Sequence, residues 1–177
     1  MQKVAQFYRY NMKKSEETVT IAEEIEMVDS YIYILNVRFA GDIHYEKYID
    51  KSLLGVEMPG MILQPVVENC VNHGIHEMGG KGIICLSLYG KGEKVCISVK
   101  DNGVGMTQDT IRKVMSGTYR EDNMTAGSNG IGMDNVISRM KLFTGSEDVM
   151  VIRSGGKDQG TEVCLYLSGQ DGKRASS

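Results

Sequence analysis

The chain has 177 residues, 41% of them hydrophobic and 24% charged, with a formal net charge of −3 and a pI near 5.7. That size fits one globular domain with a short appended element and suffices for a substantial core. The mild acidity argues against a nucleic-acid partner or a basic membrane-binding face, no apolar run approaches the ~20 residues that span a bilayer, and the N-terminus lacks the apolar centre of a signal peptide.

Residues 1–14, "MQKVAQFYRYNMKK", have the aromatic and charged pattern of the end of a longer helix, which suggests a piece of a larger protein. From Thr20 a second, long helix is predicted. Thr20 and Glu23 match a capping box, Ile21, Ile25, Val28, Ile32 and Leu35 form the apolar face, and Gly41 marks the stop. Residues 43–49, "IHYEKYI", alternate like a strand, and Pro59 is expected to open a helix that Gly74 ends. Residues 82–90 and 94–101 read as adjacent strands joined by the turn "GKGE". "TQDTIRKVMSG" is a short helix, 117–130 a polar, glycine-bearing loop, and 133–145 a further helix. Residues 148–169 read as a closing hairpin, and the end of the chain as a disordered tail. No internal repeat is evident. Elements in this order predict a two-layer α/β sandwich of about five strands on three helices. Cys70, Cys85, Cys96 and Cys164 stand singly in apolar segments without a CxxC pair, which predicts buried free thiols in a reducing cytoplasm rather than disulfides or a zinc site.

Chemistry concentrates first in "VVENCVNHG", residues 66–74. Leu63, Val66, Val67 and Cys70 recur at i, i+3, i+4, i+7 as one apolar stripe. Asn69, Asn72, His73 and His76 fall at the same spacing on another. Amides are poor helix formers, so a polar stripe of amides and imidazoles asks for a chemical reason. Asn69 offers an amide oxygen, a hard ligand of the kind Mg²⁺ accepts while keeping waters and bridging to phosphates. His73, one turn on, can donate to phosphate, and Glu68 and Asn72 can complete a wet rim. A transition-metal pair at His73 and His76 lacks further ligands at metal spacing.

Two glycine-rich stretches follow. "KDNGVGM", 100–106, reads as a hairpin turn or as a place where Gly103 and Gly105 let the backbone approach a ligand, with Asp101 able to accept from an exocyclic amine such as that of adenine. "SNGIGM", 128–133, is either loop punctuation or a turn whose N–H groups, ahead of a helix N-terminus, hold phosphate oxygens. No GK[ST] makes it a Walker A loop, and no GxGxxG follows a strand. "QGTEV" places Gly160 and Thr161 at the start of the final strand.

In the order EN-x3-H-G, D-x-G-x-G, G-x-G, GT, these motifs resemble the catalytic ATP-binding domain of sensor histidine kinases, a Bergerat-fold (GHKL) domain shared with gyrase, MutL and heat-shock chaperone ATPases. The likeness is to the LytS/YesM-type branch, whose pattern "PxxLQPxVENAxxHG" is nearly reproduced by "PGMILQPVVENCVNHG", and it continues through "SYIYILNVRF", "DNGVGM", "NGIGMDNVISRM" and "GTEVCL", over roughly residues 20–168. The resemblance implies that Asn69 coordinates the Mg²⁺ of Mg-ATP with Glu68 and Asn72 nearby, and that His73 sits by the phosphates. Asp101 would recognise the adenine amine, with Gly103 and Gly105 as pocket wall. Gly130, Ile131 and Gly132 would line the phosphate side behind a mobile lid, and Thr161 would support Asp101, through water if not directly. Asn72 replaces a Lys usual at that place, and Met133 a Leu.

The same likeness reads residues 1–19 as the end of a dimerisation helix, 20–168 as the ATP-binding domain and 169–177 as the tail. In this branch the phosphate-accepting histidine lies in a "PHFxxN" segment, which this sequence lacks. The implied partners are ATP, an upstream phosphoacceptor helix and a cognate response regulator, and the implied parent is a membrane-bound homodimer of the bacterial inner membrane with this domain in the cytoplasm. A related serine kinase of the same fold and a non-enzymatic nucleotide-sensing module are the alternatives.

Overall fold

The computed structural model describes residues 18–38, 42–118 and 132–168; the expectations for residues 1–14, Gly41, most of the predicted lid and the tail fall outside them. Two short strands, β1 (Thr18–Thr20) and β3 (Glu57–Pro59), pair antiparallel. The main sheet has five strands in the order β2-β4-β5-β7-β6, where β2 is Ile43–Ile49, β4 Gly82–Lys91, β5 Lys94–Asp101, β6 Met150–Arg153 and β7 Thr161–Ser168. β2 and β4 are parallel and every other pair antiparallel. This is the mixed, mostly antiparallel sheet expected from the sequence.

One face of that sheet carries the core. Ile84, Leu86 and Leu88 of β4, Val95, Ile97 and Val99 of β5, and Val163, Leu165 and Leu167 of β7 alternate inward and are buried. Their alternates, among them Ser87, Lys100 and Glu162, lie on the other face. Four helices cover the core: α1 (Ile21–Arg38), α2 (Leu63–Asn69), α3 (Gln108–Ser116) and α4 (Met133–Thr144). The predicted stripe of α1, from Ile21 through Leu35, is buried throughout, and each fully buried aliphatic side chain stabilises by roughly 1.5–3 kcal/mol. The capping box forms: Thr20 N donates to Glu23 Oε2 at 2.9 Å and Glu23 N to Thr20 Oγ1 at 3.3 Å. Thr107 caps α3 by accepting from Thr110 N, while Gly117 and Gly145 end α3 and α4 in the left-handed conformation. All four cysteines are free, three of them buried and Cys85 half-buried.

The helix bearing the quoted stretch departs from expectation at both ends. Pro59 belongs to β3, opposite Thr18, and the helix starts only at Leu63. Between them Met61 turns through a positive φ of 59°, a conformation that costs a non-glycine residue about 1 kcal/mol or more. That turn is held from α1. The buried Glu24 carboxylate accepts from the N–H groups of Met61, Ile62 and Leu63 at 2.6, 2.8 and 2.8 Å, satisfying donors that the helix cannot satisfy itself. Arg139 of α4 lies close, its Nη1 3.5 Å from the Met61 carbonyl oxygen. Burial pushes the Glu24 carboxyl upward, and the three N–H groups and Arg139 counter the shift. At the other end Gly74 does not stop the helix. The chain widens into a π-helical stretch, Cys70–Ile75, tightens over His76–Met78, and ends at Gly79 with φ 85°.

Replacing Glu24 by Ala would strand three buried N–H donors beside the half-buried Arg139; we expect a loss of about 3 kcal/mol and a fall in Tm of roughly 6–12 °C, read by thermal melting. A change below about 2 °C would show that the carboxylate is not what sets the start of α2.

Candidate functional site

The π-helical widening positions the site. It brings the Gly74 backbone against the loop that follows β5, with Val104 N donating to Gly74 O at 3.3 Å. A Cβ on Gly103 would lie 2.4 Å from the Gly74 Cα and carbonyl carbon, and a Cβ on Gly74 would lie 2.9 Å from Asp101 Oδ1. From the other side the β6–β7 turn clamps the same loop: Gly160 N donates to Gly103 O at 3.0 Å, Asp158 N to Val104 O at 2.7 Å, and Met106 N to Ser154 Oγ at 2.9 Å. Gly105, at φ 74°, packs so tightly on this turn that a Cβ would meet Gly156 O at 2.1 Å.

At the centre of this packing sits Asp101, 4% exposed, the last residue of β5. Its Oδ1 accepts from Gly103 N at 2.7 Å. The Cys70 thiol and the backbone of its strand neighbour Thr161 lie close enough to the carboxylate to favour its ionised form. Burial raises the Asp101 carboxyl above the usual carboxylate range, and these three groups offset part of that rise. A carboxylate has about four acceptor positions, so capacity remains beyond the three.

Asp101 borders a cleft of about 320 Å³, within the ~300–1,000 Å³ of small-molecule sites. Asn69, His73 and Glu77 recur every fourth residue along one wall, facing Thr107 and Thr110 at the start of α3 and Gly132 and Asp134 at the start of α4; Val66, Ile152 and Val163 supply an apolar floor. Among the described lining residues there is no Lys or Arg, and Glu77, Asp101 and Asp134 are acids. A divalent cation would offset the charge of a polyphosphate held among these residues. The half-buried Asn69 amide at the cleft wall is an oxygen ligand that suits Mg²⁺.

The structure thus gathers Asn69, His73, Asp101, Gly105, Gly132 and Thr161 around one cleft. Gly103 does not line it; the glycine is needed for contact with Gly74. Glu68 also stands off the lining and accepts from Gln64 Nε2 at 2.9 Å, and Asn72 and His76 are exposed away from the cleft. Gly130 and Ile131 lie outside the described residues. Sequence reasoning passed over Cys70, Gly74 and Glu77. Cys70 was read with the apolar stripe and Gly74 as a stop, though their four-residue separation was a usable sign that both face Asp101.

The chain belongs to the histidine kinase-, DNA gyrase B- and HSP90-like ATPase family, whose profile matches residues 59–171; a histidine kinase profile matches residues 1–43. Among curated proteins it is similar to the sensor histidine kinase YpdA of Escherichia coli strain K12, 33% identical over 168 residues, and to the sensor protein LytS of Oceanobacillus iheyensis, 30% identical over 165 residues. These alignments take in 94% and 93% of this chain, which spans only 28% of the length of each relative. The fold is that of histidine kinase catalytic domains. The mycobacterial sensor histidine kinase MprB superposes with a TM-score of 0.60 at 20% identity over 86% of this chain and 97% of that one. For the catalytic domain of histidine kinase ThkA the values are 0.60, 17%, 86% and 98%.

Substituting Gly103 by Ala forces the loop off Gly74. We expect a destabilisation of about 1–3 kcal/mol, seen in chemical denaturation; an unchanged midpoint would mean that the two backbones are not in contact.

Proposed function

We propose that this domain binds Mg-ATP and donates its γ-phosphoryl group to a histidine of the parent sensor kinase, from which the group passes to a response regulator. The observation that carries the reading is Asp101, a buried carboxylate with acceptor capacity left over at the edge of a cleft without described cationic residues. An acceptor-only group suits the exocyclic amine of adenine and disfavours a base bearing a carbonyl at that place. Val66, Ile152 and Val163 offer the base an apolar floor. Asn69 and His73 stand along the wall where the polyphosphate would run, the amide oxygen as metal ligand and the imidazole as hydrogen-bond donor. Gly132 begins α4, whose N-terminal N–H groups favour anionic oxygens.

When bound, Mg²⁺ supplies neutralisation of phosphate charge. The rest is positioning, which is most of what phosphoryl transfer asks of a protein. The bond from the γ-phosphorus to the bridging oxygen breaks, a bond from phosphorus to an imidazole nitrogen of the acceptor forms, ADP departs, and the imidazole gives up its proton. His44, His73 and His76 lack the acceptor context of the related branch, so the nucleophile comes from a phosphoacceptor helix elsewhere in the parent. Glu68, off the cleft lining, would reach the metal only through water, and Asn72, exposed away from the cleft, would not reach it. No helix among the described residues is long and apolar enough to cross a membrane; the reading makes this the cytoplasmic domain of a membrane-bound, homodimeric sensor.

The decisive assay mixes the chain with Mg-ATP and a separately made acceptor-helix fragment. Acid-labile phosphate on the acceptor histidine is expected. Phosphate on serine would point to the serine-kinase alternative, and tight binding with no transfer to a nucleotide-sensing module. Mg-ADP at about 100 times its Kd should add about 2.7 kcal/mol of stability, a rise of roughly 5–10 °C for this size. Asp101→Ala should remove the preference for adenine, and Asn69→Ala the Mg²⁺ dependence.

The reading also fixes a pH dependence. The amine donates to ionised Asp101, whose carboxyl is raised by burial, so affinity is complete at high pH. It is lost as pH falls through a value above that of an ordinary aspartate. Calorimetric titration with ADP across the acid range should show this, and Kd unaffected by acidification would contradict it.

A further inference from the structure

We propose that a groove on the outer face of the main sheet, on the far side from the core, binds a phosphate group between Lys100 and Arg153, either as free phosphate or on a small phosphomonoester. The site is separate from the cleft and does not depend on what the cleft holds.

Lys100 of β5 stands directly opposite Glu162 of β7, and Glu162 directly opposite Arg153 of β6. Opposed residues of a ladder share a face, so the three form one row across three strands: cation, acid, cation. The acid is already satisfied. Ser98 Oγ donates to Glu162 Oε1 at 2.7 Å, and Arg153 Nη1 donates to Oε2 at 3.3 Å. Arg153 Nη1 also lies 3.2 Å from Cys164 Sγ, but a guanidinium has five N–H donors, and its other two nitrogens carry three of them. With two cations to one acid the row keeps a positive charge in excess, on a chain whose formal charge is −3. Lys100 and Arg153 are both exposed, and both line a groove of about 360 Å³. That volume falls in the ~300–1,000 Å³ range of small-molecule sites and leaves room for an organic group beside the phosphate. The β6–β7 turn closes one end. Gln159 brings amide donors to the wall there; a Cβ on Gly155 would lie 3.0 Å from Gln159 Cβ, so the glycine lets the turn fold against that side chain. Ser154, on the same wall, donates to Gly160 O at 2.6 Å and accepts from Met106 N at 2.9 Å, which fixes the turn itself. Donors arriving from β5, from β6 and from the turn suit the tetrahedral oxygens of a phosphate; a planar carboxylate would be satisfied by the one guanidinium.

The test titrates the full chain, free of nucleotide, with glycerol 3-phosphate and with inorganic phosphate at fixed ionic strength, following backbone amide shifts by NMR, with acetate as the carboxylate control. The amides of Lys100, Arg153 and residues 154–160 should shift and saturate with both phosphates and not with acetate. Tighter binding of glycerol 3-phosphate would identify a phosphomonoester as the occupant, and equal affinities free phosphate; either supports the site. Lys100→Ala should weaken binding by about two- to five-fold, the value of one exposed charge. Lys100→Glu, which turns the row net negative, should abolish saturation. Gln159→Ala, which leaves the Glu162 contacts in place, should weaken binding as well and serves as the second variant if the charge reversal disturbs the sheet. Absence of saturation, saturable shifts confined to cleft residues such as Gly132 and Asp134, or binding by Lys100→Glu as tight as by the unaltered chain would overturn the proposal. None of these outcomes bears on the reading of the cleft, which is tested with nucleotide.

Discussion

A buried carboxylate is expensive: removing it from water costs several kcal/mol unless donors replace the lost solvent. At Asp101 the Gly103 N–H two residues on donates at 2.7 Å, and the Thr161 backbone on the adjacent strand and the Cys70 thiol on the helical wall offset part of the remaining cost. The end of β5, the start of β7 and the π-helical stretch must therefore sit where they do for the charge to be tolerated. The cleft is a consequence of that arrangement. Glycines allow it, since the Gly74 and Gly103 backbones touch where two side chains would collide.

The same solution recurs at the far end of the helix. Glu24 places a second buried carboxylate against the N–H groups of Met61, Ile62 and Leu63, and its partner Arg139 comes from α4, the helix that Gly132 opens onto the cleft. One acid thus fixes where the cleft-facing helix begins and another fixes where its wider stretch meets the sheet. Between them Asn69 is held on a wall with an apolar base, Val66 and Val67 being fully buried. The α1 helix is joined to the cleft through side chains packed in the core rather than through a surface contact.

Much of this was legible. Period-two alternation gave the main strands, and Thr20 with Glu23 gave the start of α1, because a capping box depends on residues within one turn. The sequence misled where the cause was distant. Pro59 looked like a helix opener, but the true start, Leu63, depends on a carboxylate 39 residues earlier. Nothing local marks Glu24, an acid in the first turn of α1, as the buried one. Gly103 was recognisable as a site of close approach, yet what it approaches is the Gly74 backbone. The polar stripe was extrapolated with a constant α-helical period. Once the helix widens at Cys70, Asn69, His73 and Glu77 align on the cleft while Asn72 and His76 rotate away. The family motifs pointed to the right cleft; only three dimensions sorted the residues that line it from those that build it.

The central claim is that Asp101 reads the base of an adenine nucleotide. A crystal structure of the domain with Mg-ADP tests it most directly. The account predicts the exocyclic amine about 3 Å from a carboxylate oxygen of Asp101, with the diphosphate running along the wall of Asn69 and His73. A nucleotide bound with its base elsewhere, leaving Asp101 in contact with solvent alone, would contradict it.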